Sequence, residues 1–294
     1  MVERLSEVEA RRASIAELGT VTDAMRSLAA VRLQQATGML DGTRTYAAVI
    51  ADALARAVGL AGMAPPWPGD GRGSAAVLLF TPEHGFVGGF AEQLVDAAMG
   101  LPPSHALWVI GSRGVALLEE RGRAVAWSTG MATQVDAVTA TVGRAAEALY
   151  RAAARDSLGR VELLYGRVER GTTPVVVREP LLPLDLARFG AARQGVPPLT
   201  NLPPARLVER LVDEYVYALL AHAAMESFAA ENAARLSVMI AARQHIDDTL
   251  TDLTGVVRRL RQEQITNELI ELATGAAAAH AAEAKARGRG EPTV

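Results

Sequence analysis

The distribution of proline divides this chain into three parts. Thirteen of its 14 prolines lie between Pro65 and Pro204, and the other is Pro292. Residues 1–64 and 205–291 therefore contain none. Proline removes a backbone hydrogen-bond donor and clashes with the preceding helical turn, so long proline-free stretches favour helix. We expect two long terminal helices around a separate central domain.

The second proline-free stretch has the spacing of a helix that pairs with another helix. Its seam residues alternate three and four positions apart, as in a coiled coil. These residues are Leu236, Met239, Arg243, Ile246, Leu250, Leu253, Val257 and Leu260. Roughly 80 helical residues from Ala205 would extend about 120 Å. Because only 64 residues precede Pro65, the first helix can cover only part of the second, and the remainder is expected to contact another protein.

The first proline-free stretch carries a matching seam, which predicts one helix, or two nearly continuous ones, that pairs antiparallel with part of the C-terminal helix. In residues 46–60, the lower seam, successive seam residues are four, three, four and three positions apart. In residues 15–28, the upper seam, the same spacing continues with a threonine at one position. The lower residues are Tyr46, Ile50, Ala53, Ala57 and Leu60, and the upper ones are Ile15, Leu18, Thr22, Met25 and Leu28.

The middle of the chain alternates between short apolar runs and stretches of helical length. The runs expected to be strands are Ala75–Phe80, Ala106–Ile110, Val161–Tyr165 and Val175–Val177, and the expected helices are Gly89–Met99, Ser112–Glu120 and Thr133–Arg155. This alternation is typical of a Rossmann-like α/β domain with a largely parallel sheet. The segment Pro174–Pro204 is expected to be the linker into the last helix.

The predicted fold class is therefore α/β, with long N- and C-terminal helices forming an antiparallel coiled coil around a central Rossmann-like domain. The expected boundaries are 1–64 for the N-terminal coiled-coil helix, 65–204 for the central α/β domain and linker, 205–285 for the C-terminal coiled-coil helix, and 286–294 for a disordered tail.

Composition argues against several classes of function. The formal net charge is only -3, which predicts no general attraction to nucleic acid. There is no cysteine, so disulfides, thiolate metal sites and a cysteine nucleophile are excluded, and a reducing cytoplasmic location fits. The first residues are charged where a signal peptide would be apolar, and no stretch has the length and apolarity of a membrane span. We expect no direct insertion into a membrane.

Few residues suggest catalysis or ligand binding. Gly85–Phe90, with the sequence GFVGGF, follows an apolar run and precedes a helix, as a phosphate-binding loop would. It lacks the full spacing of either common phosphate-binding motif, so a tight strand-to-helix turn is the favoured interpretation. The histidines lack ligand spacing, and Asp247, Asp248 and Asp252 fit a solvated helix face. We therefore expect no catalytic residue, no cofactor and no metal site.

Three arginines lie within four residues near the end of the predicted second helix, at Arg258, Arg259 and Arg261, with Gln262 beside them. Such a run is either the solvated face of a helix or a contact with a protein. Because it lies on the part of the helix that exceeds its partner, and because guanidinium groups bind carboxylates bidentately, both interpretations stay open at this point.

Five segments, spread along nearly the whole chain, resemble the gamma subunits of F-type ATP synthases. Arg261–Leu269, followed by Glu271 and Thr274–Ala276, is similar to their R-Q-x-x-I-T-x-E-L ending. The other matches are Val21–Met25, Glu83–Phe90 and Ile110–Gly114, and Glu226–Ser227 with Arg235 and Met239 matches the S-E-x-x-x-R-M region more loosely. The family's Y-x-Y-E-P segment, which contacts the membrane ring, is replaced by Leu199–Pro203.

The resemblance implies a non-catalytic rotor shaft that couples ion flow through a membrane c-ring to ATP synthesis or hydrolysis. Its expected partners are the alpha and beta subunits, epsilon and the c-ring, at the cytoplasmic face of the cell membrane, where it would be a peripheral protein. The residues expected to meet the alpha and beta subunits are Met25, Arg258, Arg259, Arg261, Gln262, Thr266 and Glu268, with Met25 across the coil from the arginines.

Two alternatives to a rotor shaft remain from the sequence. One is a nucleotide-binding α/β enzyme, in which Gly85–Gly89 would hold the nucleotide and the helices would serve as an arm. The other is a coiled-coil adaptor with no rotary partner.

Overall fold

The computed structural model describes residues 2–61, 73–155, 158–169, 173–184 and 199–287. Two helices of 60 and 84 residues enclose a five-stranded α/β domain, which confirms the predicted fold class. The elements are α1 Val2–Ala61, β1 Ser74–Phe80, α2 Phe90–Met99, β2 Ala106–Ile110, α3 Ser112–Glu120, β3 Trp127–Thr129, a 3-10 turn Val135–Ala137, α4 Val138–Ala153, β4 Leu158–Val168, β5 Pro174–Leu182 and α5 Pro204–Arg287.

The sheet has the strand order β3-β2-β1-β4-β5. Strands β3, β2, β1 and β4 are mutually parallel, and β5 pairs antiparallel with β4. Central strand β1 is apolar on both faces, since Leu78 and Leu79 are both buried. Such a strand is typical of a parallel sheet covered by helices on both sides.

The sequence patterns missed or misjudged three parts of this domain. Strand β3 was not predicted, because three partly exposed residues give no periodic signal. The predicted strand Val175–Val177 lies within β5, but β5 extends from Pro174 to Leu182 and so takes up the start of the predicted linker Pro174–Pro204. Pro180 is tolerated there because β5 is an edge strand. Residues 185–198 of that linker lie outside the described residues. The helix expected from Thr133 begins with the 3-10 turn, so α4 starts at Val138.

The described residues fall into two compact units. The central unit, Met25–Ile240, contains the sheet and the inner parts of both long helices. On one face of the sheet, α4, α1 and α5 bury a core that includes Phe80, Tyr165 and Phe228. On the other face, α2 and α3 bury Leu94 and Leu118 against β1 and β2.

The terminal unit, Met1–Ala24 with Ala241–Val294, contains the outer parts of α1 and α5. Ion pairs join Glu9 to Arg261 and Asp23 to Arg243, so the two segments are antiparallel. An added Cβ on Gly19 would lie 3.3 Å from Ile246 Cγ2 and would overlap the Arg243 side chain. The helices therefore approach closely at Gly19, where only glycine fits without displacing a neighbour.

The seam predicted on α5 is confirmed, because each of its residues from Leu236 to Leu260 is buried or half-buried. The upper seam on α1 is wrong at two positions. Leu18 and Leu28 are 54% and 50% exposed, whereas the buried positions are the small residues Gly19, Ala29 and Ala36. Close helix approach selects small side chains, which a search for large apolar residues overlooks.

Within the described ranges, no helix has both the length and the apolarity needed to cross a bilayer.

Candidate functional site

The glycine-rich loop between β1 and α2 is fastened to helix α5 by a buried ion pair. Arg235 and Glu231 are both buried, and their closest nitrogen and oxygen are 2.7 Å apart. Arg235 also donates to the backbone carbonyls of His84 and Gly85, at 3.3 and 3.2 Å. Glu231 accepts the backbone N–H of Glu83 at 3.3 Å. The pair therefore holds the loop and α5 together through both of its charges.

The sequence motif located this pair imprecisely. The S-E-x-x-x-R resemblance was placed on Glu226 and Ser227, but Arg235 is nine residues after Glu226. The glutamate that lies four residues before Arg235, and so faces it one helical turn away, is Glu231. The E-x-x-x-R spacing was the signal that would have identified it.

Glu83 follows β1 and accepts hydrogen bonds from residues that follow β2 and β3, so it links the carboxyl ends of these three strands. Its carboxylate accepts the Ser112 backbone N–H at 3.1 Å, the Ser112 hydroxyl at 2.6 Å and the Met131 backbone N–H at 2.7 Å. These backbone donors belong to Ser112 and Met131 and not to the loop Gly85–Phe90. The Glu83 carboxylate places a negative charge two residues before that loop, where it would repel a phosphate. This geometry favours the tight-turn interpretation of Gly85–Phe90 over a nucleotide site.

These contacts set the ionisation of Glu83. Burial raises the pKa of Glu83. The hydrogen bonds from the Ser112 side chain and from the Met131 and Ser112 backbone lower it by more, so the pKa lies below the ordinary 4.5. A carboxyl group with a lowered folded-state pKa stabilises the fold above its unfolded pKa, and this contribution is lost as pH falls through the folded value.

We expect Glu83→Gln to lower the free energy of unfolding at pH 7. In the wild type the free energy of unfolding should fall below about pH 4.5, where an ordinary glutamate titrates, and in Glu83→Gln part of this fall should be absent. Urea unfolding of the full-length chain between pH 3 and 7 measures both effects. Glu119→Gln is the matched control, because Glu119 is an exposed glutamate on α3. Parallel pH curves for Glu83→Gln and the wild type would contradict the assignment.

A second buried group, not found from the sequence, connects α1, α5 and the sheet. Glu226 on α5 is 1% exposed, and its Oε1 lies 2.8 Å from Arg44 of α1, 3.6 Å from Nε2 of His222 and 3.9 Å from Nε of Arg167 of β4. Thr43 Oγ1 lies 3.1 Å from the other ring nitrogen of His222. We call Thr43, Arg44, Arg167, His222 and Glu226 the Glu226 cluster.

The positive and negative charges in and beside the Glu226 cluster nearly cancel. Arg167 also pairs with Glu179 of β5 at 3.0 Å, and its guanidinium lies over the ring of buried Tyr165. Burial lowers the pKa of His222, while the neighbouring Glu226 opposes this shift. A neutral His222 leaves two arginines facing two glutamates. The sequence signal for this cluster was a group of polar residues inside an alanine-rich stretch of α5.

The far end of α5 holds most of the predicted interface residues. Arg258, Arg259 and Gln262 are exposed, and Thr266 donates to the Gln262 carbonyl within the same helix. Glu268 is also exposed and accepts from Gln264 at 2.9 Å. Arg259, Gln262 and Thr266 line one shallow groove on this helix.

Arg261 and Met25 differ from expectation. Arg261 pairs with Glu9 of α1, so its guanidinium is used within the chain. Asp23 of α1 faces Arg243, 18 residues before Arg261. In this antiparallel register the α1 residues opposite Arg261 surround Glu9, and the expectation that Met25 lies across from the arginines is wrong. The seam spacing gave the pairing direction but not the register.

An apolar surface follows the arginines on α5. Four large apolar side chains of this part of α5 are exposed. They are Ile265, Leu269, Ile270 and Leu272. Contiguous exposed apolar side chains on a protein surface are typical of a protein contact.

Within the described part of the chain, no group of three or more histidine, aspartate or glutamate side chains is placed to hold a metal ion.

Comparison with known proteins assigns the class. A model of the ATP synthase family matches residues 4–279, so the chain belongs to the ATP synthase family. Its relatives include the ATP synthase gamma chains of Lachnoclostridium phytofermentans and Solibacter usitatus, at 24% and 28% identity. These alignments cover 92% and 94% of this chain, and 98% and 99% of the relatives. The gamma-subunit resemblance is thereby confirmed.

Solved structures agree on the fold. The chain is similar to one from the Euglena gracilis mitochondrial ATP synthase, OSCP/F1/c-ring, rotational state 3, with a TM-score of 0.66 and 13% identity over 96% of this chain and 97% of that one. A chain of the rotor of the same enzyme gives a TM-score of 0.62 and 11% identity over 90% of this chain and 100% of that one. The fold is that of an ATP synthase central stalk.

Proposed function

We propose that this chain is the rotating central shaft of an F-type ATP synthase, without an active site of its own. The outer parts of α1 and α5 enter a hexamer of alpha and beta subunits, and the sheet domain docks on the membrane c-ring beside epsilon. The observation that carries this proposal is the far end of α5, where exposed arginines are followed by an exposed apolar surface.

The shaft acts by rotation. An asymmetric pair of helices contacts each of three otherwise equivalent catalytic subunits differently. As it turns, it changes their nucleotide affinities in sequence, which is allostery by rigid-body rotation. Nucleotide and its metal ion bind to the beta subunits, and ion flow through the c-ring drives the rotation or is driven by it.

The segment Leu199–Pro203 supplies the contact with the c-ring. Leu199 is fully exposed and Leu202 is nearly half exposed, immediately before α5 begins at Pro204. These leucines take the place of the aromatic and acidic residues with which other gamma subunits meet the ring, so this docking is more apolar. The chain is thereby held peripherally at the cytoplasmic face of the membrane.

Affinity purification tests the proposal directly. An affinity-tagged full-length chain, expressed in its own cells, is recovered from a detergent extract of the membranes and the bound proteins are identified by mass spectrometry. Recovery of alpha, beta, epsilon and c subunits in one complex is expected. Recovery of the chain from the soluble fraction without these subunits would contradict it and would favour an adaptor.

The arginines of α5 are expected to contribute to the contact with the hexamer. Arg258→Ala with Arg259→Ala and Gln262→Ala should weaken the association of the chain with alpha and beta by a few kcal/mol, since a hydrogen bond to a charged group contributes about 1.5–3 kcal/mol. Reconstitution followed by ATPase assay measures this loss. Unchanged association would show that these residues form only a solvated face.

The matched control for that experiment is Glu9→Gln, which removes the ion pair of Arg261 within the chain. Because this pair is exposed, its loss should cost no more than about 1 kcal/mol. If Glu9→Gln weakens the complex as much as the triple substitution, the effect arises from the pairing of α1 and α5 rather than from the hexamer.

The apolar end of α5 predicts that the isolated chain self-associates. Light scattering of the full-length chain should show an average mass that rises with concentration, and this concentration dependence should disappear when alpha and beta are added. Ile265→Gln with Leu269→Gln and Leu272→Gln should abolish this association. Val49→Gln, which replaces an exposed apolar residue of α1, is the control. Stable monomers of the wild-type chain at high concentration would contradict the prediction.

A further inference from the structure

The imidazole of His222 has one ring nitrogen toward α1 and the other toward Glu226. Nδ1 lies 3.1 Å from Thr43 Oγ1 of α1, and Nε2 lies 3.6 Å from Oε1 of Glu226. Thr43 Oγ1 donates to the Leu40 carbonyl at 2.9 Å. Because a hydroxyl has a single hydrogen, the hydrogen between Thr43 and His222 belongs to Nδ1. In the neutral ring, Nε2 therefore presents a lone pair to the carboxylate, and no hydrogen bond forms between them.

A proton on Nε2 would turn this contact into one between a donor and an acceptor. His222 and Glu226 are four residues apart on α5, a spacing at which opposite charges attract each other. Oε2 of Glu226 is buried and accepts no hydrogen bond within the described part of the chain, so the carboxylate has room for a further donor. His222 is thus placed to bind Glu226 when its ring is charged.

The charged groups that face His222 come from four elements. They are Glu226 on α5, Arg44 on α1, Arg167 on β4 and Glu179 on β5. While His222 is neutral, the two arginines balance the two glutamates. A proton on His222 adds a third positive charge to this partly buried site, and the repulsion favours the departure of one arginine.

Arg44 is the arginine that can leave. Its side chain is 55% exposed and already lies 3.5 Å from Asp41, one turn away on α1. Arg167 is 30% exposed and holds the glutamate of β5 at 3.0 Å, so it stays. After Arg44 has left, Glu226 still faces Arg167 and the charged His222, so this buried carboxylate keeps compensating charges. While His222 is neutral, loss of Arg44 would leave Glu226 only Arg167, at 3.9 Å.

We propose that His222 is an acid-sensitive switch in the contact between the two long helices. At neutral pH, Glu226 pairs with Arg44 and so ties α5 to α1. In acid, the charged His222 pairs with Glu226 within α5, and Arg44 turns to Asp41 and to solvent. The exchange removes the ion pair between Arg44 and Glu226 and loosens α1 in the central unit. This inference does not depend on the proposed function.

The surroundings of His222 set the pH of the exchange. Burial, the largest effect, lowers the pKa of His222 below its ordinary 6.5. Glu226 opposes this shift, whereas Arg44 and Arg167 add to it. Because the folded-state pKa of this base is lowered, its contribution to stability is complete above about pH 6.5 and declines as pH falls below that value. The exchange is therefore expected in mild acid, below about pH 6.5.

Nitrogen NMR of the full-length chain with isotope-labelled histidine follows the proton, and the spectrum of His222→Gln identifies the His222 signals. At pH 8 the hydrogen of the ring should lie on Nδ1, and the titration midpoint should lie below 6.5. The midpoint should rise in Arg44→Met, which loses a neighbouring cation, and fall in Glu226→Gln, which loses an anion. A hydrogen on Nε2 at pH 8, or a ring that stays neutral until the chain unfolds in acid, would overturn the switch.

Hydrogen exchange measured by mass spectrometry follows α1. After correction for the intrinsic effect of pH on exchange, the amides of residues 41–50 should lose protection severalfold between pH 7.5 and pH 5 in the full-length wild type. His222→Gln has no ring to protonate and should show equal protection at both pH values. His245→Gln, which replaces an exposed histidine of the same helix, is the matched control and should respond as the wild type does.

Glu226→Gln keeps the size of the side chain and remains informative if His222→Gln does not fold. It removes the anion that is exchanged, so protection of residues 41–50 should already be lower at pH 7.5 and should not change in acid. Equal protection of the wild type at both pH values would overturn the switch. So would a loss in acid that persists in His222→Gln, or in Glu226→Gln where the histidine variant does not fold, because another group would then be the sensor.

Discussion

Replacement of Arg235 by methionine is expected to lower the free energy of unfolding by about 3–5 kcal/mol, because it leaves a buried charge uncompensated. Glu231, its ion-pair partner, is buried on α5. The same substitution removes the donors to the carbonyls of His84 and Gly85. Chemical denaturation of the full-length chain measures the loss.

The effect should depend on pH in a definite direction. Burial already raises the pKa of Glu231, and Arg235 opposes that rise. Without Arg235 the folded-state pKa rises further, so stability falls as pH rises through the unfolded and then the folded value. The destabilisation by Arg235→Met should therefore be larger at pH 8 than at pH 5.

Two further variants show whether the loss of stability comes from the buried ion pair. The double substitution Arg235→Met with Glu231→Met replaces the pair by apolar groups and should recover much of the stability. Arg151→Met, which breaks an exposed pair with Glu147 on α4, should cost less than about 1 kcal/mol. A loss in Arg235→Met no greater than that in Arg151→Met would contradict the role assigned to the buried pair.

Substitution of Gly111 by alanine is expected to prevent folding of the sheet domain or to destabilise it by several kcal/mol. Gly111 has a φ of 115°, which alone costs an L-residue about 1–3 kcal/mol. An added Cβ would also lie 2.1 Å from the Thr81 carbonyl oxygen and 2.5 Å from its hydroxyl. The Thr81 hydroxyl donates to the carbonyls of Ile110 and Gly111, so it cannot move without losing those hydrogen bonds.

Gly122 provides the matched control, because its φ is 71° but no atom lies within 4 Å of an added Cβ. Gly122→Ala should therefore show the conformational cost alone, about 1–2 kcal/mol. Thermal unfolding and soluble yield of the two variants separate the steric contribution from the conformational one. Equal effects of Gly111→Ala and Gly122→Ala would contradict the steric argument.

The fold was largely predictable from local patterns. Proline position and seam spacing identified both long helices, because a helix of many turns repeats its signal along the whole element. The continuous apolar runs around β1 and β2 predicted buried parallel strands, because a strand covered on both faces is apolar along most of its length. Strand β3 has three residues, too few for any repeat. Strand β5 was predicted only at Val175–Val177, because its later part contains a proline, which an edge strand tolerates.

The sites were less predictable, because they depend on register between distant segments. The family motif indicated the arginines of α5, but only the structure pairs Arg261 with Glu9 and excludes Met25 from that position. The Glu226 cluster joins Arg44 to Glu226, which are 182 positions apart. No spacing within one helix encodes such a contact. The pairing of Glu231 with Arg235 is encoded locally, by a spacing of four residues within one helix.

The most direct test of the shaft is to observe its rotation. Ser104→Cys places a unique attachment point on the exposed surface of the sheet domain of this cysteine-free chain. A bead is attached there after assembly with alpha and beta subunits fixed to a glass surface, and its motion is followed under the microscope. On addition of ATP, we predict stepwise rotation of the bead in one direction. Complexes that contain the chain and hydrolyse ATP while the bead remains still would contradict the account.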